Sequence, residues 1–126
     1  MIAQDVIMTT QEVASRLAAL CRQGEFEKAQ TELFADDAIS IEQEAGGGFE
    51  KETKGLSAII EKGHQFQAGV DEVFGITVSE PIVAGGAFAL ALVMDVKMKG
   101  RDRGKMSEIC TYVVRDGKVA SEQFFM

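Results

Sequence analysis

The chain of 126 residues is 46% hydrophobic and 26% charged, the balance of an ordinary globular protein. That length fits one domain, residues 1–126, with a core large enough to fold without disulfide or metal. Thirteen basic against 20 acidic residues give a net charge of −7, which excludes nucleic acid and anionic membrane as expected partners, since both need a positive field.

The opening residues MIAQDVIMTT carry no basic leader and no apolar stretch of export length. Thr9-Thr10-Gln11-Glu12 then reads as a capping box, with Thr9 as N-cap and Glu12 reaching back. Val13, Leu17, Leu20 and Cys21 repeat at helical spacing, and Gly24 closes this first helix. A second, short helix places Phe26, Ala29 and Leu33 on one face. Asp36-Asp37 turns the chain into a strand, Ala38 to Gln43, with Glu42 near its end. Glu44 to Lys54, containing Gly46-Gly47-Gly48, reads as a mobile loop. A third helix runs from about Leu56 to Ala68, with Leu56, Ile59, Ile60, Gly63 and Phe66 as its apolar stripe. Strands follow: Glu72 to Ile82 with Phe74, Ile76 and Val78 on one face, Ala87 to Met98, Lys105 to Arg115, and Lys118 to Met126. Helices first and antiparallel strands later predict an α+β domain, its helices against one sheet face.

Two motif resemblances lead nowhere. GRDRGKMS, Gly100 to Ser107, has one residue too few between its glycines for a phosphate-binding loop and lies between strands. Its surroundings, Lys97 to Lys105, read as a solvated hairpin tip. The single histidine, His64, excludes multi-histidine metal sites and is expected at the surface. No residue pattern points to a metal or a cofactor. Cys21 and Cys110 do not resemble a disulfide framework, so a reducing cytoplasm is the expected compartment. No run is long enough to span a bilayer.

Strand parity assigns faces. Phe88, Leu90, Leu92, Met94, Val96 and Met98 share one large apolar face that should meet the helices, with Ala89 and Ala91 opposite. In the next strand Met106, Glu108, Cys110, Tyr112 and Val114 share a face, and Ser107, Ile109, Thr111 and Val113 the other. Pairing of the last strand depends on the loop. A two-residue Asp116-Gly117 loop sets Ser121, Gln123 and Phe125 beside Cys110; a three-residue loop from Arg115 with a glycine bulge sets Ala120, Glu122 and Phe124 there. Spacing alone leaves both open.

The pattern ELFADDA…KGLSAI…VVRDGKVASEQFF resembles the SnoaL-like branch of the nuclear transport factor 2-like superfamily, across nearly the whole chain in element order. The resemblance implies a cone-shaped ααβαββββ fold, a curved, mostly antiparallel sheet wrapping three helices around a pocket. Ketosteroid isomerase and the polyketide cyclases are its best-understood enzymes. Glu42 falls where the isomerase has its aspartate base, Cys110 where it has an oxyanion-hole aspartic acid, and Leu17 where it has an oxyanion-hole tyrosine. Leucine and cysteine cannot replace those donors, so steroid isomerisation is not expected. The cyclases' acid–base positions fall on Cys110 and Phe124, so their mechanism does not transfer either.

The resemblance also favours the three-residue loop, placing Glu108, Cys110, Tyr112, Glu122 and Phe124 on the concave face with Glu42. The expected catalytic residues are then Glu42 as base and Glu108 or Glu122 as acid. Leu17, Lys62, Phe88, Leu92, Met94, Cys110, Tyr112 and Phe124 are the expected ligand-binding residues. Lys62 flanks the third helix's stripe and could counter a buried glutamate, although solvent is the usual place for a lysine. Met94, Met98, Met106 and Met126 are expected in core and pocket wall. Carboxylates sharing an apolar pocket cannot all ionise freely, which would pair a protonated acid with an ionised base near neutrality. The function expected is a cofactor-independent acid–base enzyme of isomerase, cyclase or hydrolase type acting on a small organic molecule. The alternatives are a ligand-binding protein without turnover and a dimeric interaction module. A homodimer is expected through Ala89, Ala91, Ile109, Val113 and Phe125 on the outer sheet face.

Overall fold

A computed structural model describes residues 7–46 and 49–126; the readings of residues 1–6 and of Gly47 and Gly48 lie outside them. Helix α1 (Thr10–Arg22) starts at the expected box. The Glu12 amide donates to Thr9 Oγ1 at 3.1 Å, and the Thr9 amide donates to the Glu12 carboxylate at 2.8 Å. Both satisfy amides that the first turn leaves without a helical partner. Gly24, at φ 75°, stops it in a left-handed conformation that glycine adopts without steric cost. Helix α2 (Phe26–Leu33) buries Ala29 and Leu33.

Strand β1 (Phe34–Ile41) starts four residues earlier than expected, so the aspartate pair lies inside it. Its parallel pairing with β7 (Lys118–Phe125) passes from Phe34 opposite Val119 to Ile39 opposite Ser121, leaving Ala35–Ala38 out of step. Asp36 and Asp37 are therefore exposed on an irregular stretch rather than at a turn. Gly46 and Phe49 form an isolated bridge, and a short strand not read from sequence, β2 (Glu52–Lys54), follows antiparallel to β1. Helix α3 (Leu56–Ala68) has the expected bounds and buries Ile59.

The remaining strands are β3 (Val70–Val78), β4 (Ile82–Ala84), β5 (Ala87–Met98) and β6 (Gly104–Arg115), before β7. The sheet runs β2-β1-β7-β6-β5-β3, with β4 also paired to β5. Three helices and a curved mixed sheet make the expected α+β architecture. In β5, Phe88, Leu90, Leu92, Met94 and Val96 are buried and alternate with partly exposed residues, as parity required. Phe74 is corrected. It is 42% exposed because the β3–β5 register slips between Val73 and Gly75, and the Arg103 guanidinium covers its ring at 3.8 Å.

The last hairpin combines the two loop alternatives. Arg115 pairs with Lys118 across a two-residue loop in which Asp116 (φ 53°) and Gly117 (φ 73°) are both left-handed, a type I′ turn. The three-residue loop is thus overturned. A bulge at Ala120 then shifts the register, since Val114 faces Val119 but Val113 faces Ser121. Odd-numbered Val119 and even-numbered Glu122 consequently both point inward and are buried. The expected neighbours arrive by a different device: Glu122 opposite Tyr112, and Phe124 opposite Cys110.

Candidate functional site

The sheet's concave face and the helices enclose a cavity of about 360 Å³. Strand register stacks the inward-facing side chains of the sheet in rows. Ser40, Glu122, Tyr112 and Phe88 form the first row, linked pairwise across β1, β7, β6 and β5. Phe124, Cys110 and Leu90 form the second, and Glu108 and Leu92 the third. Met106 and Met94 pair beyond them. From the helices come Leu17, Cys21, Phe26, Ile59, Lys62 and Phe66.

Lys62 organises the polar part. Its ammonium donates to Ser40 Oγ at 2.8 Å and to Glu42 Oε2 at 3.1 Å. It also lies 5.7 Å from the centre of the Phe124 ring. An ammonium has three donors, so two protein bonds leave one more for a bound molecule. The Lys62 side chain is only 16% exposed, which makes the Glu42 contact a largely desolvated ion pair. Ser40 is fully buried. Accepting from Lys62, its hydroxyl is free to donate to Glu122, the partner across the strands.

Glu122 is 4% exposed. Burial pushes its carboxyl up to about 7, opposed by the Ser40 hydrogen bond and the Lys62 charge and assisted by Glu42 and Glu108. Glu108 is also raised, chiefly by burial, with Glu42 adding repulsion and the Cys110 hydrogen bond and Lys62 opposing. Its one hydrogen-bond partner among the described residues is the Cys110 thiol, with Sγ 3.6 Å from Oε1. Burial pushes Cys21 up to about 12 and raises Cys110 and Tyr112, so all three stay protonated at neutrality. Tyr112 stacks on Phe88 with ring centres 4.7 Å apart. No group of three or more His, Cys, Asp or Glu residues among the described residues is placed to hold a metal ion.

Residues 8–126 match the family model described as SnoaL-like domain. The chain belongs to the SnoaL-like family. A candidate SnoaL-like polyketide cyclase (carbohydrate phosphatase) from Mesorhizobium loti is 34% identical, with a TM-score of 0.86 over 94% of this chain and 100% of that one. Two more distant structures share the fold. TerC, co-crystallised with polyporic acid, is 15% identical, with a TM-score of 0.77 over 93% of this chain and 90% of its own. A protein with a ketosteroid isomerase-like fold from Catenulispora acidiphila, in complex with trimethylamine, is 20% identical, with a TM-score of 0.72 over 94% of this chain and 87% of its own. A search of curated proteins finds no match.

Within this SnoaL-like cone, Glu42, Glu108 and Glu122 all line the cavity, as do Leu17, Lys62, Leu92, Met94, Cys110, Tyr112 and Phe124. Phe88 does not and is corrected: it lies behind Tyr112, buried in the core. Parity assigned its face but not its depth. Met106 and Met126 join the lining, while Met98 packs beside the core. His64 is on the surface, 2.5 Å from Glu27, which raises its pKa. Sequence reading missed Ser40, Cys21, Phe49 and Phe66. Ser40 shares parity with Glu42, and that was its available signal. No described helix is long and apolar enough to cross a membrane.

Proposed function

We propose that the cavity performs cofactor-independent proton transfer on a small, mainly apolar carbonyl compound. One observation carries this reading: a buried carboxyl near neutral pKa, Glu122, beside a lysine with a donor to spare. A group titrating near the working pH both accepts and returns a proton efficiently. In the ionised form Glu122 removes a proton from the carbon next to a carbonyl. The freed electron pair moves onto the carbonyl oxygen, where the third N–H of Lys62 stabilises the developing charge. Return of the proton to a different carbon completes an isomerisation; attack of the enolate on an internal electrophile completes a cyclisation. Glu42 and Ser40 hold Lys62 in place, so the base role passes from Glu42 to Glu122 in this scheme.

The Mesorhizobium loti relative, a candidate polyketide cyclase, and TerC, crystallised with polyporic acid, support this reading. The test is deuterium uptake from heavy water into the α-position of a panel of aryl ketones, including 2-acetylnaphthalene. The intact protein should accelerate exchange, and Glu122→Gln should lower that acceleration by about 10²–10⁴-fold. No acceleration with any ketone would overturn the reading. Ligand binding without exchange would instead identify a carrier.

A further inference from the structure

The two ends of the cavity differ in a way that proton transfer does not require. Glu122 stands opposite Tyr112, and Glu108 lies four residues from Tyr112 along β6, roughly 13 Å at the usual strand rise. Between them runs the apolar Phe124–Cys110–Leu90 row. Two of the carboxylates have polar partners, Ser40 for Glu122 and Lys62 for Glu42. At the outer end Glu108 has only a weak thiol donor among the described residues, although it lines the cavity and is flanked by Leu92 and the Met106–Met94 pair. The cavity's lysine is held by Glu42 and Ser40, so it forms no salt bridge with Glu108. Lys62 acts on Glu108 only through its charge at a distance; a half-buried carboxylate that no cation contacts is costly, and a cation bound against it relieves that cost. Phe26, Phe49 and Phe66 also line the cavity, and aromatic rings are favourable neighbours for an organic cation.

We propose that the cavity's ligand carries a protonated amine that seats on Glu108, its apolar body lying along the Phe124–Cys110–Leu90 row toward Glu122. This rests on the pocket reading above and adds a ligand class to it, a basic carbonyl compound, while disfavouring carboxylates of the same shape. The lining holds three glutamates against one lysine, and although burial raises Glu108 and Glu122, that excess disfavours an anion and favours a cation.

Three naphthalene probes of matched shape test this by calorimetry at neutral pH: 2-naphthylmethylamine, 2-naphthylmethanol and 2-naphthoate. The amine should bind about tenfold or more tightly than the alcohol, the value of a charge-assisted hydrogen bond. Naphthoate should bind weakest. Glu108→Gln should abolish the preference for amine over alcohol. Glu122→Gln should keep the preference, and an amide spectrum of each variant checks its fold. Equal affinity for amine and alcohol would overturn the proposal, as would no binding of any probe, or loss of the preference in Glu122→Gln but not in Glu108→Gln. Amine preference without deuterium exchange would uphold this inference and defeat the enzyme reading; exchange without amine preference would do the reverse.

Discussion

The inner and outer faces of the β6–β7 hairpin invert the usual polarity of a half-covered sheet. An ordinary antiparallel strand puts apolar side chains on the core and polar ones in water. Here the inner face carries Glu108, Cys110, Tyr112 and Glu122, while the outer face exposes Ile109 at 47%, Val113 at 50% and Phe125 at 39%. Ile109 pairs directly with Phe125 and with Ala91, so this apolar patch is continuous across three strands. Each inversion works against solubility or stability unless something offsets it. The inner one suits chemistry, because desolvation is what moves Glu122 and Glu108 toward neutrality. The outer one suits a partner surface.

The largest effect expected from breaking this contrast is on assembly. A second copy of the chain is our proposed cover for the outer patch, since exposed apolar area of this kind favours association. Light scattering behind a sizing column should give a dimer mass for the native chain. Ile109→Lys with Val113→Lys should give the monomer mass with the fold intact. A native monomer at micromolar concentration would show that the outer inversion has another purpose.

Next comes the inner face. The folded Glu122 carboxyl sits near 7 against an ordinary 4.5. The folded state therefore holds a proton that the unfolded chain releases between those values, and stability falls as pH rises through that window. At about 1.4 kcal/mol for each pH unit, the loss reaches about 3–4 kcal/mol by pH 8. Glu108 contributes in the same direction. Glu122→Gln removes the ionisation, so its urea midpoint should vary less between pH 5 and 8 than that of the native chain. Equal slopes would mean that Glu122 ionises without penalty.

A smaller change is expected from Lys62→Met. It strips Ser40 and Glu42 of their donor and removes a positive charge that holds the Glu122 pKa down. Breaking a partly buried pair should cost about 1–3 kcal/mol. Carbon-detected NMR should show Glu122 titrating at higher pH than in the native chain. An unchanged midpoint would separate Glu122 from the Lys62 network.

Much of this contrast was legible in the residues before the fold was known. Local rules with short range worked: the capping box, Gly24 and the parity of β5 fixed α1 and the core wall. The hairpin shows where they stop. Asp116-Gly117 is the strongest turn signal in the chain, and taken alone it sends Glu122 outward. The bulge at Ala120 reverses that, and a bulge leaves no mark in an alternating pattern because one slipped residue looks like any other. Lys62 was ambiguous for a similar reason, as a helix flank becomes buried or solvated according to what packs beside it. Phe74 failed because its strand slips register. Ser40 stayed hidden because parity with Glu42 gave only its face, and its hydroxyl gains a role only once Lys62 and Glu122 stand on either side.

The smallest effect should come from the two thiols that share the inner face. Cys21 and Cys110 both line the cavity, so a small alkylating reagent can reach them where the cavity opens. Access is not reactivity, since the nucleophile is the thiolate. Burial raises both pKa values, Cys21 to about 12, and the carboxylates at Glu108 and Glu122 add repulsion against a second negative charge. Cys110 also donates a hydrogen bond to Glu108, an arrangement that only the neutral thiol can make. Iodoacetamide at pH 7.5 should therefore leave the folded mass unchanged by mass spectrometry, while the urea-unfolded chain takes up two labels. Selective labelling of folded Cys110 would place a thiolate beside Glu108. The inner face would then hold a sulfur nucleophile, and acid–base chemistry by carboxylates alone would no longer describe it.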